Sequence, residues 1–431
     1  MQILKPHFKN YRKEIILAVI TILVSAFATL WQPRLLENIQ KAILADNHDT
    51  VLRDGIGLVV LGLLAIIAGI FNVYYAAKIA QGITSDLREE TYAKIQSFSF
   101  GNIEKFSSGS LVVRLINDMN QVMNMMMILF MQLLRMPIIL IGSFVLSIVT
   151  IPHYWWAPVL MLALMMGVGF IVIQNMNQLF AKFQKYMDKI STRVKENLQG
   201  VRVVKSFNQG ENEIKRFNKT SDSLNELNIK IGYWISTIMP AFMLIAYLVI
   251  ALVVFLVGRS ANLNPTDVAV VSPYVSYILT LLFAILIGGF VIMNFTRGMV
   301  SLRRIKEVLD TEPDVQFNPN ASAAPEKGSI EFDNVSFTYP DGDKPTLKNI
   351  SFKVKPGEMV GIVGATGSGK STLAQLIPRL YDPTEGMIKI GGKDLKTIGE
   401  KALRNTVSMV LQKAILFSGT IASNLRQGKE D

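Results

Sequence analysis

Half of the 431 residues are hydrophobic and only 18% are charged, against roughly 25% charged in an ordinary soluble domain, so the chain carries apolar surface beyond the needs of one compact water-soluble unit. The lack of cysteine excludes disulfide frameworks, thiolate zinc sites, iron–sulfur clusters and thiol nucleophiles, and 9% aromatics with so few charges exclude a disordered chain. A formal net charge of +11 suits either a nucleic acid or an anionic membrane surface, and where the cations lie decides between them.

In chain order, residues 15–33, 55–77, 136–181, 231–258 and 268–296 contain no Asp, Glu, Lys or Arg. Each stretch is long enough to cross a hydrocarbon layer, which takes about 20 residues. The stretch from residue 136 has 46 residues and holds Pro152, His153, Tyr154, Trp155, Trp156 and Pro158 near its middle, so it reads as two spans joined by a tight turn. Six spans result. Lys and Arg number 21 in the N-terminal segment and the connections 78–135 and 182–230, but only 4 on the opposite side. That asymmetry places the N terminus in the cytoplasm, and six crossings return the chain there. Trp31 and the cluster 154–156 then fall at the outer boundary, where amphipathic rings are favoured. The basic excess belongs to a lipid bilayer, and nucleic-acid binding loses its support. A cleaved signal peptide ending at Ala26-Phe27-Ala28 is the alternative for the first stretch; it would leave five spans and oppose the charge count.

The two cytoplasmic connections are far longer than the 2 to 8 residues usual between packed helices. Apolar positions recur at three and four over 80–96 and 180–198, for example Leu179, Phe183, Tyr186, Met187, Ile190 and Val194. They predict membrane helices prolonged into the cytoplasm, reversing near 100–109 and 209–217. Residues 301–309 extend the last span, and 311–328, with three prolines, reads as a linker. Short alternating runs at 330–332, 335–337 and 350–354, separated by Asp341-Gly342 and Lys355-Pro356-Gly357, predict strands and turns. The expected organisation is a multi-pass α-helical membrane domain over 1–310, a linker over 311–328, and part of an α/β nucleotide-binding domain over 329–431.

The apolar run 359–363 precedes Gly364, Ala365, Thr366, Gly367, Ser368, Gly369, Lys370 and Ser371, and 372–380 can form a helix. This is G-x-x-x-x-G-K-[ST] in a strand, loop and helix context, a P-loop. Its glycines let successive N–H groups face phosphate oxygens, and the helix N terminus adds partial positive charge. Lys370 is expected on the β- and γ-phosphates, and the Ser371 hydroxyl on Mg²⁺. A P-loop alone specifies a nucleoside triphosphate and leaves the machine open.

Beyond the P-loop, Phe337-Thr338-Tyr339-Pro340 resembles an adenine-stacking loop, Val410-Leu411-Gln412 a strand ending in a Q-loop, and Leu416-Phe417-Ser418-Gly419-Thr420-Ile421 the segment after it. With six preceding spans, the chain resembles ABC transporters, specifically exporter half-transporters, over essentially its whole length. The resemblance implies that Tyr339 stacks on adenine, that Thr372 completes the nucleotide contacts, and that Gln412 meets Mg²⁺ or the attacking water. It implies ATP and Mg²⁺ as cofactors, a second half-transporter as homo- or heterodimeric partner, a small hydrophobic or amphipathic substrate, and a place in the cell membrane. The reversals around Asn102-Ile103-Glu104-Lys105-Phe106 and 208–217 resemble coupling helices. The family's signature loop, its strand ending in Asp-Glu and its switch histidine have no counterpart here: the histidines are His7, His48 and His153. The expectation is therefore a fragment of a longer ATPase-coupled transporter, with a nonhydrolytic regulatory subunit or another membrane-tethered P-loop enzyme as alternatives. The methionines at 119–136 and 161–166 read as lipid-facing or helix-packing residues rather than a substrate lining, and Arg135 as either cavity-facing or snorkelling.

Overall fold

The computed structural model describes residues 2–260, 269–318, 328–340, 342–412 and 415–426. Much of the expected linker, and the turn signal at Asp341, lie outside the described residues. The chain divides into two compact units, residues 1–86 with 120–302, and residues 87–119 with 303–431.

Among the described residues, six helices are long and apolar enough to cross a membrane. They are α1 (Arg12–Leu44), α2 (His48–Gln96), α4 (Ser108–Thr150), α5 (Trp156–Gln199), α7 (Gly210–Ser260) and α8 (Val271–Asp310). Between them stand two short helices, α3 (Phe100–Phe106) and α6 (Val201–Ser206). The 46-residue stretch is broken where expected, by a 3₁₀ turn over Pro152–Tyr154. Helix α4 contains two π-helical turns, Arg114–Asp118 and Leu129–Leu133. The long helices continue far past their uncharged stretches, as the three-and-four spacing requires.

The second reversal lies earlier than the expected 209–217. Gly200 caps α5, its N–H bonded to the Glu196 carbonyl at 2.8 Å. Asn208 ends the turn with φ 49, a left-handed conformation that Asn tolerates. Residues 210–217 are thus the first turns of α7, and the reversal is α6 rather than 208–217.

In the first unit the core is built from α5, α7 and α8, with Met161, Met165, Phe242, Ala246, Val253, Tyr274, Ile278 and Leu281 buried together. Met125 and Met126 are also fully buried, and Gly298 packs so tightly on Met125 that a Cβ would collide with it. These methionines are packing residues. Arg135 is half-buried and donates to the Thr29 hydroxyl at 3.1 Å, so it is held between helices rather than extended to the surface. Glu37, 3% exposed, is held by Arg34 at 3.1 Å and Lys41 at 2.6 Å, which lets a carboxylate lie buried. Before α1, Tyr11 lies across Gly82 of α2, where any side chain would strike its ring. Asp86 takes the Tyr11 hydroxyl at 3.4 Å and the Asn10 amide at 3.5 Å.

The second unit carries a four-stranded antiparallel sheet in the order β2-β1-β3-β4, with β1 Ile330–Phe337, β2 Leu347–Val354, β3 Glu385–Ile390 and β4 Lys393–Asp394. Helices α9 (Lys370–Leu376) and α10 (Glu400–Thr406) cover it. The core gathers Phe332, Val335, Phe337, Leu347, Leu373, Leu376, Tyr381, Ile388, Leu395 and Leu403. Two expected strands do not form. Residues 359–363 and 410–412 pair with no strand among the described residues, and Met359 is 100%, Val363 94% and Val410 96% exposed. An apolar run becomes a strand only when a neighbour takes its backbone groups, and here none does.

Candidate functional site

Local chemistry shapes the phosphate loop. Gly367 and Gly369 take φ of +85 and +87, a left-handed conformation costing other residues about 1–2 kcal/mol. At Gly369 space also demands glycine, because a Cβ would stand 2.7 Å from Leu347 Cδ2 and 3.1 Å from the Thr346 carbonyl oxygen. At Gly364 a Cβ would come within 2.7 Å of the Ser368 hydroxyl. Helix α9 starts directly at Lys370, with Gly369 as its N-cap. It is short, Lys370–Leu376, and ends before the expected 372–380 range is filled, because Arg379 turns left-handed with φ 55.

The lysine ammonium folds over the loop, donating to the carbonyls of Gly364 at 2.9 Å and Ala365 at 2.7 Å, and reaching the Ser368 hydroxyl at 3.5 Å. Residues 361–368 and Ser371 are exposed. A loop with left-handed glycines, a lysine parked on replaceable carbonyl contacts and an open hydroxyl fits a triphosphate with its cation. Lys370 would exchange loop carbonyls for phosphate oxygens, and Ser371 would offer its oxygen to Mg²⁺.

Tyr339 is brought to this loop. Its hydroxyl meets the Thr372 hydroxyl at 3.0 Å and donates to Gln375 Oε1 at 3.2 Å, both on α9. Its half-buried ring is edge-on to Phe337 at 4.8 Å and to Tyr381 at 5.4 Å. Thr372, 5% exposed, is therefore occupied by Tyr339 and turned inward. Gln412 stands apart in character, exposed on an unpaired stretch. The segment 416–421 is exposed as well, its end organised by Asn424, which bonds the Phe417 backbone at 2.7 and 2.9 Å.

The sequence did not point to Tyr381 or Arg379. Arg379, 4% exposed, pairs with Asp382 at 2.7 Å, donates to the Gln316 carbonyl at 3.1 Å and lies 4.6 Å over the Phe317 ring. Tyr381 is 4% exposed, and burial, followed by the nearby Glu104 carboxylate, pushes its phenol above the usual tyrosine range. The available signal was an aromatic in the Tyr381-Asp382-Pro383 turn just behind the phosphate-loop helix.

Comparison with known proteins agrees with this architecture. The family model described as the ABC transporter transmembrane region matches residues 15–295, and that described as ABC transporter matches residues 347–431. An uncharacterized ABC transporter ATP-binding protein, YfiB, of Bacillus subtilis is 36% identical over 416 residues, covering 96% of this chain and 72% of the relative. Another, MT1311 of Mycobacterium tuberculosis, is 29% identical over 434 residues, covering 99% and 74%. A putative ABC transporter ATP-binding protein of Mycoplasma pneumoniae, the MG014 homolog, is 32% identical over 394 residues, covering 86% and 61%. With six candidate spans and a P-loop domain in one polypeptide, the chain belongs to the ABC transporter family as an exporter-type half-transporter.

Proposed function

We propose that the protein drives export of a small hydrophobic or amphipathic compound across the cell membrane, as one half of a dimer powered by Mg-ATP. The observation that carries this reading is the P-loop, with Gly367 and Gly369 left-handed and Lys370 poised over it, in a chain with six apolar helices. In this reading Lys370 neutralises the β- and γ-phosphates, Ser371 ligates Mg²⁺, and residues 364–371 cradle the phosphates, Thr372 joining them once Tyr339 releases its hydroxyl. Tyr339 stacks on adenine after releasing its contacts with α9, and Gln412 approaches the cation once its segment is paired. The charge asymmetry supports a cytoplasmic N terminus and cytoplasmic ATP-binding domain, with residues 1–310 as membrane domain, 311–328 as linker and 329–431 within the ATP-binding domain. Two half-transporters would place each nucleotide between one P-loop and the partner's signature loop. ATP binding closes the pair, the cytoplasmic reversals tilt the spans, and hydrolysis resets them.

The test uses the full-length protein reconstituted in vesicles with ethidium as probe. Mg-ATP-dependent, vanadate-sensitive ethidium movement, lost in Lys370→Ala, is expected. Phosphoryl transfer to a second substrate without movement of any lipophilic probe would overturn the export reading.

A further inference from the structure

The charge frontiers of the first two spans meet at one level. Glu14 is the last charged residue before the uncharged stretch 15–33 of α1, and Lys78 is the first after the stretch 55–77 of α2. The two pair at 3.1 Å. Because charge is kept out of hydrocarbon, this pair marks one edge of the apolar layer. On its apolar side Ile16 and Ile20 of α1 and Phe71 of α2 are exposed, as lipid-facing residues are. Tyr74, one turn before Lys78 and also exposed, suits the boundary itself, where an amphipathic ring is favoured.

The segment that leads into α1 begins with a single helical turn, Lys5–Phe8, and its two faces differ. On the inner face Leu4 is fully buried, and three polar side chains converge on Asp86 of α2. His7 Nδ1 stands 3.7 Å from that carboxylate, the Asn10 amide 3.5 Å and the Tyr11 hydroxyl 3.4 Å. The outer face carries Lys5, Lys9, Arg12 and Lys13, all exposed. Residues 1–13 contain no carboxylate, Glu14 is taken by Lys78, and Asp86 by the inner face. Among the described residues the four cations enter no ion pair.

The segment cannot spread these charges apart, since its inner face is tethered to α2. Their mutual repulsion is relieved by an anion from outside the chain. That anion has to lie beside Arg12 and Lys13 and also border Ile16 and Ile20, one to two turns further along α1. A nucleic acid or an acidic protein brings charge without the acyl chains that cover such residues. A phosphate joined to hydrocarbon brings both.

We propose that this face is a binding site for anionic phospholipid, with the headgroup held by Lys5, Lys9, Arg12 and Lys13 and the acyl chains lying along Ile16 and Ile20. Tethering through Asp86 presents the cations as a fixed set, so the site selects anionic over zwitterionic headgroups.

The test uses the full-length protein in phosphatidylcholine nanodiscs that carry a trace of phosphatidylglycerol or phosphatidylcholine with a photoactivatable acyl chain. The readout is the ratio of the two labelling yields on the peptic peptide holding Ile16 and Ile20. A cation close to an anionic surface contributes about fivefold, so the parent ratio is expected to exceed about five and to shrink as salt is raised. Lys5→Gln, Lys9→Gln, Arg12→Gln and Lys13→Gln together should bring it to about one, while arginine in place of the three lysines should keep it. Lys5→Gln with Lys9→Gln, which leaves α1 untouched, should lower the ratio by more than half and decides the matter if the quadruple variant does not fold. Lys189→Gln, Lys195→Gln, Lys215→Gln and Lys219→Gln remove as much charge from exposed positions on the helix extensions and should leave the ratio as in the parent. A parent ratio near unity, an undiminished ratio in either of the first two glutamine variants, or an equal fall in the distant one overturns the proposal. Displacement of the lipid by polyglutamate at physiological salt overturns it as well, and would make an acidic protein the occupant.

Discussion

Lys370 makes its two shortest contacts with carbonyls of its own loop, at 2.7 and 2.9 Å, and those contacts are given up when phosphate arrives. Charge-assisted hydrogen bonds contribute about 1.5–3 kcal/mol, so Lys370→Ala is expected to weaken Mg-ATP binding by about 10- to 100-fold, read from an equilibrium binding isotherm. Fold stability should hardly change, because the side chain lies at the surface of the loop. Gly369→Ala should act the other way. A left-handed alanine costs about 1–2 kcal/mol before the overlap with Leu347 and the Thr346 carbonyl is counted. A lowered thermal midpoint is expected, and a midpoint equal to the parent's would refute the assigned conformation. At Tyr339, Phe removes only the bonds to Thr372 and Gln375 and should retain nucleotide affinity. Tyr339→Ala removes the stacking face and should weaken binding by about 3- to 10-fold, in line with an aromatic pair of roughly 0.5–1.5 kcal/mol. Equal losses in both variants would show that the hydroxyl, not the ring, holds the base.

Elements differ in how much of them a local pattern reveals. The spans and the turn over Pro152–Tyr154 were readable because the absence of charge over about 20 residues is a local property. The phosphate loop was readable because its glycines answer to backbone geometry within eight residues. The strands 359–363 and 410–412 were not, since a strand exists through its neighbours, and apolar alternation says nothing of whether they are in place. The second reversal was misplaced because Gly200 and Asn208, which end α5 and α6, lie inside a continuous helical periodicity. The contact of α3 with Tyr381 joins residues nearly 280 apart, and no window of sequence shows it. The burial of Tyr381, with Glu104 second, has a consequence in alkali. The Tyr381 phenol is held above its ordinary value of 10.0, so below that pH both folded and unfolded chains carry the proton and stability is unaffected. As pH rises past the ordinary value the unfolded chain ionises first, and folding loses stability. Tyr381→Phe should flatten the fall in thermal midpoint over that alkaline range; an identical fall would place the titrating group elsewhere.

For the molecule as a whole, charge placement makes the sharpest statement. Six candidate spans among the described residues, with 21 cations against 4, lead to the expectation that the connection between α1 and α2 lies outside and that between α3 and α4 inside. Asp46 sits in the turn between α1 and α2 with its side chain 93% exposed, and Ser107 is exposed between α3 and α4. In intact cells a membrane-impermeant maleimide is expected to label an Asp46→Cys variant and spare a Ser107→Cys variant, and the reverse pattern would invert the topology.

The seating of Tyr11 on Gly82 and the gathering of Asn10 and Tyr11 on Asp86 bear on how the protein is made. Those contacts close only when both α1 and the far end of α2 have left the ribosome, so the packing of the first pair of helices is finished only after residue 86 has been made. A bulky replacement at position 82 would push the Tyr11 ring off α2 and leave that late closure undone.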